Sequence, residues 1–288
     1  MEKSPKVIAI VPAFNEEANI VSTVEDLRAR APQVDYVVVN DGSRDATADI
    51  CREKGYPMID LPVNLGLAGA FQAGMRYAVE HGYDYALQFD ADGQHSAAFV
   101  GNLVDAACER GANVVIGSRF AAVKKPVSAR MAGSMLISAM IFATTGKRIQ
   151  DPTSGMRLFD SSMMRLLANE PDLGPEPDTL ALLMRRGAKV AEVQVQMRDR
   201  VAGESYLTFT RSASYMARIS LSILLVQWFR QPFRDWNPKG ERRAKAAKAA
   251  GATGLGIPGG GASDAAVGAA ELVGSDVPAA EDGSEVAR

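Results

Sequence analysis

Short runs of uncharged apolar residues alternate with amphipathic segments along the first part of the chain. The apolar runs are rich in β-branched residues, which is typical of strands buried on both faces of a sheet. Strands are predicted at residues 7–11, 36–39, 58–61, 85–89 and 114–116, and helices at residues 15–30, 45–54, 67–81 and 97–110. This alternation predicts an α/β fold with a mostly parallel sheet flanked by helices.

Candidate functional residues follow the predicted strands at the point where each strand ends. They lie at residues 12–16, 40–43, 90–94 and 117–119. Ligands bind at the carboxyl ends of the strands in sheets of this kind. We therefore expect these four loops to meet in one site.

Two carboxylates one residue apart, Asp90 and Asp92, end the fourth predicted strand. Residues i and i+2 of a strand point to the same side, so both carboxylates can face one cation. Gly93 permits a turn that would bring the Gln94 amide oxygen to the same ion. Oxygen ligands suit Mg²⁺ or Mn²⁺. The alternative is a solvated turn, but its position beside the other loops favours a metal site.

The other loops carry groups that suit a nucleotide. Asp41 could accept hydrogen bonds from a nucleobase, and Glu16 could hold a ribose hydroxyl. Residues 64–70 open a helix with small residues, which allows phosphate or sugar to approach the backbone. Alternatively, these loops only begin helices, with Ser43 or Asp45 as an N-cap.

Composition narrows the classes of protein. The chain has 288 residues, is 47% hydrophobic and has a formal net charge of -2, which suits a good-sized domain and argues against a general nucleic-acid binder. Cys51 and Cys108 lack metal-ligand spacing, which indicates a reducing compartment. Residues 1–5 do not resemble a signal peptide. We expect a cytoplasmic protein or one peripheral on the cytosolic face of a membrane.

Several short motifs occur in order along the chain. They are VPAFNE at 11–16, NDGS at 40–43, NLG at 64–66, DADGQ at 90–94, GSR at 117–119, DPTSGMR at 151–157 and RVAGES at 200–205. This set resembles the family 2 glycosyltransferases of the GT-A (Rossmann-like) fold, and within them the dolichyl-phosphate mannose synthase branch. The resemblance covers roughly residues 6 to 230.

The resemblance implies roles for the matching residues. The nucleotide-sugar pocket would be lined by Pro12, Phe14, Glu16, Val39, Asp41, Asp90, Ala91, Asp92, Arg119 and Arg200. The implied ligands of Mg²⁺ or Mn²⁺ are Asp90, Asp92 and Gln94, the implied acceptor-phosphate ligand is Arg130, and the implied catalytic residues are Asp92, Asp151 and Arg119. A divalent ion and guanidinium groups would stabilise the departing nucleoside diphosphate.

Two positions depart from the family pattern. Phe14 stands where the family usually has tyrosine, and Tyr206 stands where it has a lysine near the donor phosphate. Phe14 keeps a stacking face without the hydroxyl, whereas Tyr206 does not replace the charge. The choice between a GDP-sugar and a UDP-sugar donor therefore stays open.

The acceptor decides whether a general base is needed. A polyprenyl phosphate is already anionic, whereas a hydroxyl acceptor needs a carboxylate to take its proton. The candidates for such a base are Asp151, Glu176 and Asp178, although the last two could simply begin a helix near Thr179.

The predicted function is inverting, metal-dependent sugar transfer to a polyprenyl phosphate. The alternatives are transfer to a hydroxyl of a saccharide or lipid-linked glycan, and a catalytically silent module that binds sugar nucleotides or docks a partner.

Two apolar stretches bear on membrane association. Residues 131–146 would form a helix of about 24 Å, too short for a hydrocarbon core of about 30 Å. Residues 219–229 are bordered by arginine and tryptophan, which suits a helix in the membrane interface. The alternatives are that these apolar stretches pack on the core of the domain or bind a membrane-protein partner.

We expect a GT-A domain at 1–212, an amphipathic membrane-surface helix at 213–236 and a disordered low-complexity tail at 237–288.

Overall fold

A seven-stranded sheet forms the centre of the computed structural model, which describes residues 4–123, 125, 129–198 and 209–226. The strands are β1 Val7–Ala13, β2 Asp35–Asn40, β3 Met58–Asp60, β4 Tyr85–Gln88, β5 Val114–Ser118, β6 Arg157–Asp160 and β7 Val190–Gln194. Their order across the sheet is β3-β2-β1-β4-β6-β5-β7. Only β6 is antiparallel to its neighbours. The prediction of a mostly parallel α/β sheet is confirmed.

Helices cover both faces of the sheet. They are α1 Ile20–Arg30, α2 Thr47–Glu53, α3 Gly66–Glu80, α4 Val100–Arg110, α5 Ala129–Thr145, α6 Ser161–Asn169, α7 Pro177–Arg185 and α8 Phe209–Leu221. A hydrophobic core lies on each face of the sheet. Alternate residues of β1 pack into one core or the other, because successive side chains of a strand point to opposite faces. Ile8 and Ile10 pack with α3, α5, α6, α7 and α8. Ala9 and Val11 pack with α1, α2 and α4.

The largest difference from the predicted boundaries lies at the start of α1. This helix begins at Ile20 rather than at residue 15. Asn15 has a φ of 56°, a left-handed conformation that an α-helix does not contain. Its backbone N–H donates to Ser43 Oγ at 3.0 Å. The first loop is therefore fixed to the second before the helix starts.

The antiparallel strand β6 brings a further loop to the ligand edge. β6 inserts between β4 and β5, with Arg157 opposite Gln88 near the carboxyl end of β4. Because β6 runs the other way, the residues that precede it, including the 151–156 segment, approach the edge where β1, β2 and β4 end. β6, β7, α6 and α7 lie outside the elements that the sequence pattern predicted.

The C-terminal helix packs against the body of the domain. Ile219 of α8 is buried in the same core as residues of α5 and α7. So is Ile223, which lies in the π-helical turn Ser222–Val226 that follows α8. Leu221, Leu224 and Leu225 are exposed. Residues 227–236 and the predicted tail lie outside the described residues, and the predicted boundaries stay predictions. Within the described ranges, no helix has the length and apolarity required to cross a membrane.

We predict that Gly74→Ala destabilises the fold by about 1–3 kcal/mol, because overpacking a filled core is costly. Gly74 faces β1, and a Cβ there would collide with the buried Ile10 side chain. The matched control is Gly101→Ala in α4, where a Cβ meets nothing within 4 Å. Alanine there should stabilise by about 0.5–1 kcal/mol through helix propensity. Urea unfolding measures both, and equal effects would contradict this packing.

Candidate functional site

A cavity of about 420 Å³ opens where β1, β2 and β4 end. It is lined by Pro12, Ala13, Phe14, Glu16, Asp41, Asn64, Gly66, Leu67, Ala70, Asp90, Ala91 and Asp92. Seven of the predicted nucleotide-sugar ligands are among these residues. Val39 lies below them, fully buried in β2 and paired with Pro12.

The first loop is held by its neighbour. The Asn15 side-chain oxygen accepts from the Arg44 backbone N–H at 2.8 Å. The Glu16 backbone N–H donates to Thr47 Oγ1 at 2.8 Å, and Asn19 Nδ2 donates to Glu16 Oε2 at 2.8 Å. Glu16 is thereby fixed at the cavity wall. Sequence reasoning treated Asn15 only as a helix start and missed this role.

Asp41 joins the second loop to the start of α3. Its carboxylate is 3% exposed and accepts from the Leu65 backbone N–H at 2.7 Å. The Asp41 N–H donates to the Ala13 carbonyl at 2.8 Å. Gly42 follows with a φ of 65°, and a Cβ there would lie 2.8 Å from the Asn64 backbone nitrogen. This close approach explains why glycine follows the carboxylate.

Asp90 and Asp92 line the same cavity, and each is oriented by hydrogen bonds. Gln88 Nε2 donates to Asp90 Oδ1 at 3.0 Å, and the Asp90 N–H donates to His95 Nδ1 at 3.0 Å. The Gln94 N–H donates to Asp92 Oδ1 at 3.0 Å. His95 is 5% exposed and packs edge-on against Phe89. The buried Gln88 side chain thus supports the Asp90 carboxylate, and a backbone N–H of its own loop supports that of Asp92.

This pair fits a divalent cation that also binds substrate. Across the described ranges, no three or more His, Cys, Asp or Glu side chains are grouped so that they could hold a metal. A hard ion at Asp90 and Asp92 would therefore complete its shell with phosphate oxygens and water, as Mg²⁺ commonly does. Gln94 is not among the lining residues, and its carbonyl accepts from the Arg198 N–H at 2.9 Å. Its role as a ligand stays a prediction.

Arg119 and Asp151 form a buried pair. Arg119 Nε donates to Asp151 Oδ2 at 2.7 Å and Nη2 to Oδ1 at 2.8 Å. The Arg119 N–H and Thr153 Oγ1 donate to the same carboxylate at 3.0 and 3.3 Å. Glu192 of β7 accepts from the Asp151 N–H at 2.8 Å. The side-chain hydrogen bonds to Asp151 raise the pKa of Arg119.

The geometry of this pair corrects the role predicted for Asp151. Its side chain is 0% exposed and four donors occupy its carboxylate, so it is closed to solvent and has no vacant position for a proton from an acceptor. Asp151 instead orients Arg119, whose side chain is 29% exposed. Breaking a buried pair of this kind costs about 3–5 kcal/mol. The structure therefore supports a positioning role, not proton transfer.

Glu176 and Asp178 do not line the cavity that contains Asp90 and Asp92. They line a separate cavity of about 260 Å³ with Arg218 and Ser222. Asp178 Oδ2 accepts from Ser222 Oγ at 2.6 Å, and burial raises the pKa of Glu176. The helix α7 starts at Pro177, as the alternative interpretation of this segment predicted.

A groove of about 860 Å³ continues from the Arg119 loop along α5 and was missed by sequence reasoning. It is lined by Phe120, Ala121, Ala122, Val123, Lys125, Ala132, Met135, Ser138, Ala139, Phe142, Arg148, Ile149 and Gln150. Lys125 Nζ donates to Ser134 Oγ at 3.0 Å and to Ser138 Oγ at 3.4 Å. Burial lowers the pKa of Lys125. In the sequence, the signal available for this groove was the i, i+4 spacing of the two serines, which places them on one face of the helix.

Two predicted phosphate ligands cannot be placed. Arg130 lies in α5, but its side chain is outside the described residues. Arg200 and the 200–205 motif are also outside them. Their roles stay predictions.

Comparison with known proteins identifies the family of the chain. The sequence profile described as Glycosyl transferase family 2 matches residues 8–170. An undecaprenyl-phosphate mannosyltransferase of Micrococcus luteus is 30% identical over 219 residues, which are 70% of this chain and 88% of that protein. A UDP-N-acetylglucosamine–dolichyl-phosphate N-acetylglucosaminyltransferase of Methanococcus voltae is 28% identical over 185 residues, 57% of this chain and 73% of that protein.

A solved structure shares the fold. Glucosyl-3-phosphoglycerate synthase of Mycobacterium tuberculosis, in complex with Mn²⁺, UDP-glucose and phosphoglyceric acid, aligns with a TM-score of 0.57 and 17% identity. The alignment covers 80% of this chain and 82% of that one. At this identity the likeness shows the fold alone, and the GT-A prediction is confirmed.

Proposed function

The chain belongs to glycosyl transferase family 2, and we propose that it is an inverting, metal-dependent enzyme that moves a sugar from a nucleotide-sugar donor to a polyprenyl phosphate. The observation that carries the proposal is the lining of the 420 Å³ cavity. Its lining residues include the four carboxylates of Glu16, Asp41, Asp90 and Asp92, and none of the lining residues that the structure describes is a lysine or arginine. A diphosphate would be repelled there unless a cation joined the two.

The donor would bind along this cavity. Phe14 offers a face for the nucleobase, Asp41 an acceptor for its N–H groups, and Glu16 an acceptor for ribose hydroxyls. Mg²⁺ or Mn²⁺ held by Asp90 and Asp92 would neutralise the diphosphate and stabilise its departure. We propose a GDP- or UDP-linked sugar as the donor.

The groove beyond Arg119 supports a polyprenyl phosphate as the acceptor. Phe120, Met135 and Phe142 give it an apolar side, and Lys125 gives it a cationic group. An acceptor phosphate is already anionic and needs no general base. The enclosure of Asp151 removes one candidate base, which favours this acceptor over a hydroxyl. The names of the two relatives, both transferases to a polyprenyl phosphate, point the same way.

We further propose that α5 and α8 face the cytosolic surface of a membrane. The two helices pack together, and Met135, Leu136, Phe142, Leu221, Leu224 and Leu225 expose large apolar side chains. Exposed apolar clusters mark membrane or protein interaction sites. A peripheral position would present the groove to a membrane-embedded lipid, while a membrane-protein partner is the alternative occupant.

We predict that Asp92→Asn lowers sugar transfer about 100-fold or more, because the leaving diphosphate loses its cation. Asp105→Asn, on the exposed side of α4, is the control and should keep the wild-type rate. The assay follows labelled UDP- and GDP-sugars into polyprenyl phosphate with Mn²⁺ or Mg²⁺. An acid-labile sugar phosphate is the expected product. Unchanged turnover in Asp92→Asn would contradict the metal role, and an acid-stable glycoside would favour the hydroxyl acceptor.

Lys125→Met should raise the KM for polyprenyl phosphate about 10-fold, because about 1.4 kcal/mol of a charged hydrogen bond is lost. The KM for the donor should stay unchanged, since Lys125 does not line the donor cavity. Lys189→Met, at an exposed position before β7, is the matched control. The same KM for polyprenyl phosphate in both variants would remove the groove as the acceptor site.

A further inference from the structure

A buried guanidinium lies next to the loop that supports Asp90. Arg157 begins β6, is 3% exposed and pairs across the sheet with Gln88, whose side chain donates to Asp90. Its own donors all reach backbone carbonyls. Nε donates to Ser154 at 2.9 Å, Nη1 to Pro175 at 2.7 Å and Nη2 to Pro152 at 2.6 Å.

This arrangement differs from that of a structural salt bridge. Among the described residues, no carboxylate lies within 4 Å of the Arg157 guanidinium, whereas Arg119 is paired directly with Asp151. Burial of an ion is costly unless its donors are satisfied. Here the planar fork of arginine satisfies them by binding carbonyls on two separate segments, one around residues 152–154 and one at Pro175.

The first of these segments contacts Asp90 through Gly155. A Cβ at Gly155 would collide with the Asp90 carboxylate and would lie 3.4 Å from His95 Cε1. The backbone of Gly155 is therefore the wall against which the Asp90 side chain rests. Arg157 binds the carbonyl of Ser154, the residue just before this glycine.

We propose that Arg157 is a positioning residue of the cation site, which holds the Gly155 backbone against Asp90 so that its carboxylate faces the cavity beside Asp92. The proposal rests on the proposed function only in that Asp90 is taken as a cation ligand. It gives Arg157 no contact with substrate. Lysine keeps the charge but lacks the fork that reaches three carbonyls, so charge alone would not preserve the geometry.

The test measures cation affinity rather than activity. Mn²⁺ is titrated into the full chain by EPR with saturating UDP or GDP, and folding is checked by thermal unfolding. Arg157→Lys should raise the Kd for Mn²⁺ about 10-fold. Gly155→Ala should also raise it, because the added methyl group displaces the Asp90 carboxylate while the donors of Arg157 remain. If Arg157→Lys fails to fold, Gly155→Ala decides the question.

Arg76→Lys is the matched control. Arg76 Nε also donates to a backbone carbonyl, that of Ala168, at 2.9 Å, but it does not contact the loop at Gly155. This variant should bind Mn²⁺ like the wild type even if its melting temperature falls. If Arg157 only stabilises the fold, the folded Arg157→Lys protein should also bind Mn²⁺ like the wild type, and only its melting temperature should fall.

Asp92→Asn separates failure of this inference from failure of the proposed function. If it leaves Mn²⁺ affinity unchanged, the cation site itself is wrong. The other case is that Asp92→Asn abolishes Mn²⁺ binding, whereas Gly155→Ala and the folded Arg157→Lys protein bind Mn²⁺ like the wild type. The cation site would then stand, and the positioning role of Arg157 would be overturned.

Discussion

The presence of four carboxylates in the lining of one cavity is the constraint on which the site depends. Glu16, Asp41, Asp90 and Asp92 line about 420 Å³, and the part of the lining that the structure describes contains no lysine or arginine. Each carboxylate is fixed by a neighbour, either a backbone N–H or a buried amide. A divalent cation would offset such fixed like charges, and it would in turn attract a diphosphate.

Arg119, Lys125 and Arg157, whose side chains the structure describes, are not among the lining residues of this cavity and have different partners. Arg119 is oriented by Asp151, and Lys125 lies at the groove along α5. Arg157 binds the carbonyl of Ser154, the residue before the glycine that contacts Asp90. The fold thus separates an acidic pocket, which suits a metal-bound donor, from a cationic and apolar groove, which suits an anionic lipid. This separation of charge favours an acceptor that needs no base.

Much of the fold was predictable, because local periodicity determines it. The strands and helices up to residue 116 follow from apolar spacing, and the parallel arrangement brings Glu16, Asp41 and Asp90 to one edge. The position of β6 was not predictable, since four residues pair with strands distant in sequence. The enclosure of Asp151 and the contact of Lys125 with α5 depend on tertiary packing, which the order of residues does not reveal.

Crystallography with Mn²⁺ and either UDP or GDP, recorded at the manganese absorption edge, tests the cation site directly. We expect one anomalous peak between the carboxylate oxygens of Asp90 and Asp92 and the nucleotide diphosphate. A bound nucleotide whose diphosphate contacts no ion, or an ion bound away from both carboxylates, would contradict this site.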